Sequence, residues 1–248
     1  MLTQLVMIVL VFGLYAPAAH GYFSSGLRGH YKVSLHALRG KKEGGKEVYS
    51  NPVAQALSAF IRVPVPESGS IVEENDSSTR VDLDSIDWNC RKRKKTSMKR
   101  LSGDLTKALK QREWFVTGDV EPSFFSEDFY FQDPDVATAG IENYARGVAR
   151  IFSPGTRAEV LRTDFDEGSR ILTITWRLEG RVSIGPRGLP IKAFLVYSDL
   201  TVDENGLICF QKDRFSLPGW DIFLSALFPF TIGRVTAAPL PSASELSI

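Results

Sequence analysis

The sequence predicts an α+β domain in which three helices precede a long antiparallel sheet that curls into a half-cone. Three observations predict it. Apolar residues recur at helical steps twice between residues 96 and 152. Strict alternation then takes over. Two turn signals, Glu167-Gly168 and Glu204-Asn205-Gly206, fall between the alternating runs and read as hairpins.

The first helix starts at Thr96 or Ser97, either of which can cap it, and carries Leu101, Leu105, Ala108 and Leu109 on one face. Gly118-Asp119 breaks the pattern. A short second helix enters at Pro122 and runs through Phe124 and Phe125. "FYFQD" is strand-like. The third helix spans about Ile141 to Phe152, with Ile141, Tyr144, Val148 and Ile151 inward and Glu142 and Arg146 paired on another face. Pro154-Gly155 stops it.

"RAEVLRTDFD" and "RILTITWRLEG" form the first hairpin, with Leu172, Ile174, Trp176 and Leu178 on a dry face. "KAFLVYSDLTV" places Lys192, Phe194, Val196, Ser198, Leu200 and Val202 together, and "LICFQKDRF" returns as the last strand, with Cys209, Asp213 and Phe215 sharing a face. The mouth of such a cone is a natural small-molecule pocket.

The segments outside this domain read differently. Leu5 to Tyr15 is an unbroken apolar run too short to span a membrane easily, and Ala19 and Gly21 suit a cleavage site, so residues 1–21 read as a signal peptide, with an uncleaved anchor as the alternative. Residues 22–62 are basic and acid-poor, like a transit peptide. A signal followed by a transit-like stretch, with Tyr22 or Phe23 near the cut, resembles the two-part presequence of complex plastids. Plastid import is the expectation and secretion the alternative. Residues 63–95 read as a polar and basic linker that ends in "RKRKK", residues 96–230 as the folded domain, and residues 231–248 as a disordered tail.

Formal net charge is +1, which gives no ground for a nucleic-acid partner. Cys90 and Cys209 are too few for a disulfide framework or a metal site, and the three histidines all lie before residue 40. Chemistry in the domain therefore falls to carboxylates, hydroxyls and tyrosines, with no cofactor and no metal expected.

"GDVEPSFFSEDFYFQDPDVATAGIENY", followed by long strands, resembles the nuclear transport factor 2-like superfamily, with its ketosteroid isomerases and SnoaL-like cyclases. "WFVTGDVEPSFFSEDFYFQDPD" and "QKDRFSLPGW" resemble a plastid and cyanobacterial branch of it that carries no established activity. The resemblance implies a cystatin-like half-cone. It also sets Asp133 where the isomerases hold their general base. Alternation puts Asp133 on one face with Phe129 and Phe131, where desolvation would raise its carboxyl.

The resemblance stops short at the isomerases' two oxyanion donors. The first-helix tyrosine falls near Leu109 or Gln111, and the strand acid falls on Ser198. Losing one such donor typically costs about 10²–10³ in rate. Asp133 is also readable as the acid that ends a strand by accepting turn N–H groups.

Three readings follow. The first is a plastid domain that binds a small, largely apolar ligand, lined by Phe129, Phe131, Tyr144, Trp176, Phe194, Ser198 and Asp213. The second is an isomerase, cyclase or dehydratase with Asp133 as candidate general base and Tyr144 or Ser198 as donors. The third is a scaffold that forms a homodimer through the sheet. "GWDIFLSALFPF" reads as a lid over the open end of the cone, or as a surface for a membrane or partner, with no stable span in the mature chain.

Overall fold

The computed structural model describes residues 48–49, 81–93, 96–185 and 188–246. The signal segment, most of the transit-like segment and residues 63–80 lie outside the described residues.

Helix α1 (Met98–Arg112) is capped by Ser97, whose hydroxyl accepts from Arg100 N, and it buries Leu101, Leu105, Ala108 and Leu109 as the spacing requires. Glu113 ends it in a left-handed conformation, φ 48°. The Glu113 carboxylate then accepts Arg157 Nε at 2.9 Å and the backbone N–H of Ala158 at 2.9 Å, which ties the end of α1 to the start of β4 (Arg157–Asp166). One further turn, α2 (Trp114–Thr117), stops at Gly118, φ 75°. A Cβ there would stand 2.4 Å from the Ala145 carbonyl oxygen, so only glycine lets this turn sit against the next helix.

The expected helix at Pro122 is a single 3₁₀ turn, Pro122–Phe124. Phe125 is already extended and opens β2 (Phe125–Gln132), because two phenylalanines in a row suit a buried strand better than a helix exposed on one side. Four residues on, β3 (Val136–Ala139) returns antiparallel to β2, a strand the sequence reading does not contain. Its outer edge pairs with β1 (Val48–Tyr49), inside the segment read as transit-like. Helix α3 (Ile141–Ile151) follows, with Ile141, Tyr144, Ala145 and Val148 buried.

Strands β4, β5 (Ile171–Val182), β6 (Leu189–Val202) and β7 (Ile208–Phe215) make a meander. The seven-stranded sheet runs β1-β3-β2-β7-β6-β5-β4, and β2 with β7 is its parallel pair. The helices pack on one face of this curved, unclosed sheet, over Leu172, Ile174, Trp176 and Leu178 of β5 and Phe194, Val196 and Leu200 of β6.

Two departures matter. A bulge between Thr201 and Val202 turns Ile208, fully buried, into the inner face in place of Cys209, so Cys209 does not share the face of Asp213. The second departure is the C-terminus. Helix α4 (Gly219–Leu227) docks on β6 through a buried ion pair between Asp221 and Lys192, which sits at a second bulge. Residues 236–240, read from composition as disordered tail, are pinned there. Ala237 N donates to Asp221 at 2.8 Å, Lys192 Nζ donates to Ala237 O at 2.8 Å, and Leu240 N donates to Ala193 O at 3.0 Å. β6 extends past the end of β7, and these contacts together with Ser216 N to Leu195 O cover that free edge.

Two residues of the basic stretch, Lys92 and Arg93, contact the folded domain. Arg93 pairs with Glu121 and lies 4.4 Å over the Phe124 ring, and Lys92 Nζ donates to Pro122 O. No described helix is long and apolar enough to cross a membrane.

Candidate functional site

The parallel pairing of β2 and β7 builds the site. Phe131 registers with Gln211 and Gln132 with Lys212, so one step further Asp133 comes beside Asp213. Alternation turns Phe131, Asp133, Gln211 and Asp213 to the inner face and Gln132 and Lys212 outward. Across β6, Ser198 is the direct partner of Asp213. Tyr144 reaches the same place from α3.

These side chains form one buried polar chain. Trp176 Nε1 donates to Ser198 Oγ at 3.0 Å, and Ser198 donates to the Asp213 carboxylate. Gln211 Nε2 donates to Asp213 Oδ1 at 3.0 Å and, at a longer 3.4 Å, to the Tyr144 hydroxyl. Ser198 and Gln211 have no exposed surface at all. The Gln211 carbonyl oxygen is buried without a hydrogen-bond partner.

Asp133 resolves a choice the sequence left open, and resolves it both ways. Its Oδ1 accepts the N–H groups of Asp135 at 2.7 Å and Val136 at 2.6 Å, as a turn acid does. Desolvation nevertheless outweighs those bonds and raises the carboxyl to about 6. Burial also raises Asp213, to about 7, with the charges of Asp133 and Asp199 adding to the rise and the bonds from Ser198 and Gln211 opposing it. Tyr144 is pushed well above its ordinary value by burial and then by Asp213, so it stays a protonated donor.

Two raised carboxyls thus stand on one face, the charge of Asp133 adding to the rise at Asp213. One can accept a proton while the other donates, the arrangement acid–base chemistry requires. Sequence reasoning placed Asp213 among the lining residues but looked for the second acid of the pair on β6, at Ser198. The acid is on β7, hydrogen-bonded to that serine.

The walls are aromatic. Phe131 and Phe129 pack on Tyr144 with ring centroids 4.8 and 6.0 Å away. Phe115 of α2 stacks on Trp176 at 4.9 Å. Phe194 lies further along β6, edge-on to Phe215, outside the hydrogen-bonded cluster. Gln211 and Phe115 were missed by sequence reasoning. Gln211 was findable as the inward partner of Asp213 two residues away, whereas nothing local marks Phe115.

Leu109 is core and Gln111 is exposed. Gln111 instead lines a separate groove of about 610 Å³ between α1 and β4, with Thr106, Lys107, Lys110 and Arg162, away from the carboxyl pair. Among the described residues, no group of three or more His, Cys, Asp or Glu side chains is placed to hold a metal ion.

Solved structures with the same architecture are similar to this chain at low identity. One is a ketosteroid isomerase-like protein from Catenulispora acidiphila in complex with trimethylamine, 14% identical, covering 50% of this chain and 92% of its own, TM-score 0.40. Another is a SnoaL-like polyketide cyclase from Jannaschia, 14% identical, covering 54% and 96%, TM-score 0.42. A third is an LEH-like epoxide hydrolase from M. tuberculosis, 20% identical, covering 49% and 90%, TM-score 0.35. Neighbours of this kind are nuclear transport factor 2-like and cystatin-like folds. No protein-family model matches the chain, and no curated protein matches it.

Proposed function

We propose that the inner face of the half-cone binds a small, largely apolar molecule and that Asp133 and Asp213 meet its polar group. The observation that carries this reading is the placement of two carboxyls, a tyrosine hydroxyl and an unpartnered glutamine oxygen among aromatic rings. A fold core has no need of a buried acid such as Asp213 beside a second, half-buried one, since apolar residues of similar volume would cost less. Asp133 is only half-buried, so the cluster is approached from its side.

An isomerase, cyclase or dehydratase is the second reading, and Asp213 favours it. A carboxyl near neutrality beside Ser198 supplies the second donor that such chemistry needs, with Asp133 as base and Tyr144 as a further donor. The outer face of the sheet supports a scaffold less. Its Thr173, Asp199 and Arg214 satisfy one another, with Asp199 accepting at 2.8 and 2.9 Å. Plastid delivery remains our proposal from the presequence composition.

A fragment screen by NMR tests the reading. Small apolar molecules should shift the Trp176 indole N–H and the signals of Tyr144 and Gln211. Shifts confined to the α1–β4 groove would overturn it.

A further inference from the structure

The donors and acceptors of the cluster do not balance. Among the described residues, Trp176 Nε1 is committed to Ser198, Ser198 to Asp213, and Gln211 Nε2 to Asp213 and Tyr144. With both carboxyls ionised, the Tyr144 proton is the one donor left among these residues. On the acceptor side stands the Gln211 carbonyl oxygen, buried and unpaired. Rotating the Gln211 amide does not cure this, because it would then turn N–H groups away from both of their acceptors.

Charge is unbalanced in the same sense. Asp133 and Asp213 come side by side on the inner face, with Asp199 behind β6. Tyr144 is the titratable group from α3. The nearest basic side chains on these strands, Lys212 and Arg214, point outward, and Arg214 is bound to Asp199. Among the described residues the site therefore has no positive charge and no spare N–H donor, while its walls are aromatic rings whose faces attract cations.

We propose that the molecule this site takes is a protonated amine with an apolar body. Its ammonium group sits between Asp133 and Asp213 and donates to the Gln211 carbonyl oxygen, and its hydrocarbon part lies against Phe129, Phe131 and Trp176. The inference rests on the small-molecule reading above and names its ligand class. Binding expels protons, because a cation beside the carboxyls lowers their pKa.

The test compares benzylamine, benzyl alcohol and benzoate on the full chain by titration calorimetry at pH 5 and pH 8, in buffers of different ionisation enthalpy. Benzylamine should bind about tenfold or more tighter than benzyl alcohol at pH 8, lose most of that advantage at pH 5, and release protons at intermediate pH. Benzoate should not bind. Asp213→Asn should lose the amine preference, and where it fails to fold, the proton count on the unmodified protein decides. Equal binding of amine and alcohol with no proton release overturns the amine assignment and leaves the small-molecule reading standing. Failure of all three probes removes both.

Discussion

Ser198 and Asp213 stand directly opposite each other across β6 and β7 and are hydrogen-bonded, so the one polar residue on an apolar strand face is the anchor of a buried acid. That serine also accepts from Trp176. Ser198→Ala would strip Asp213 of one bond and leave the indole N–H without an acceptor. The expected cost is about 1–3 kcal/mol in denaturant unfolding. The Asp213 carboxyl should move further up in a carbon-detected NMR titration, since the serine bond holds it down. A downward move would mean that Ser198 is not its donor.

The carboxyl pair should make the protein less stable as pH rises. Both groups bind protons more tightly folded than unfolded, their folded values of about 6 and about 7 standing above 3.8. The native state thus holds more protons than the unfolded state across that window. Stability falls between about pH 4 and 7, by at most about 1.4 kcal/mol per pH unit for each group. Melting temperatures from pH 5 to 8 should decline, and Asp213→Asn should flatten the decline. A rise in that range with the wild type would contradict the burial of the pair.

Phe115 comes from a helix of a single turn, yet it stacks on Trp176 in the wall of the site. Phe115→Ala should cost about 3–5 kcal/mol. Trp176 would then meet solvent or the cavity the ring leaves, which its fluorescence maximum would report. An unchanged spectrum would place the contact elsewhere.

The C-terminal docking depends on Lys192 and Asp221. Removing one partner leaves a buried charge, so Asp221→Ala should destabilise by about 3–5 kcal/mol, while Lys192→Met with Asp221→Leu should recover most of it. Limited proteolysis near residues 236–240 should accelerate in the single variant. Equal protease resistance would show that Leu240 and Ala193 suffice.

The meander was legible because alternation and the Asn205-Gly206 turn are local signals, and α3 because its apolar face repeats without interruption. Pro122 misled because it fits both a helix start and a 3₁₀ turn, and Phe125 settled the matter by burial in a strand. β3 is too short to show a period. Asp133 could be singled out from its aromatic neighbours. Its partnership with Asp213 could not, since it depends on a parallel pairing between strands some eighty residues apart and on a bulge that no residue type announces. The C-terminal segment looked disordered because Ala, Pro and Ser carry no period, while its backbone is bonded to Asp221 of α4 and to Lys192 and Ala193 of β6.

The β2–β7 pairing also sets the order in which the protein can acquire its chemistry. Every contact between Asp133 and Asp213 waits for the last strand of the meander to close a very long loop, the kind of step that slows folding. On the ribosome, α1 through β6 can emerge and collapse while Asp133 is still an ordinary turn acid beside an incomplete wall. Its partner arrives with β7. A nascent chain stalled before Ile208 would therefore carry most of the domain's mass and Asp133 without its partner.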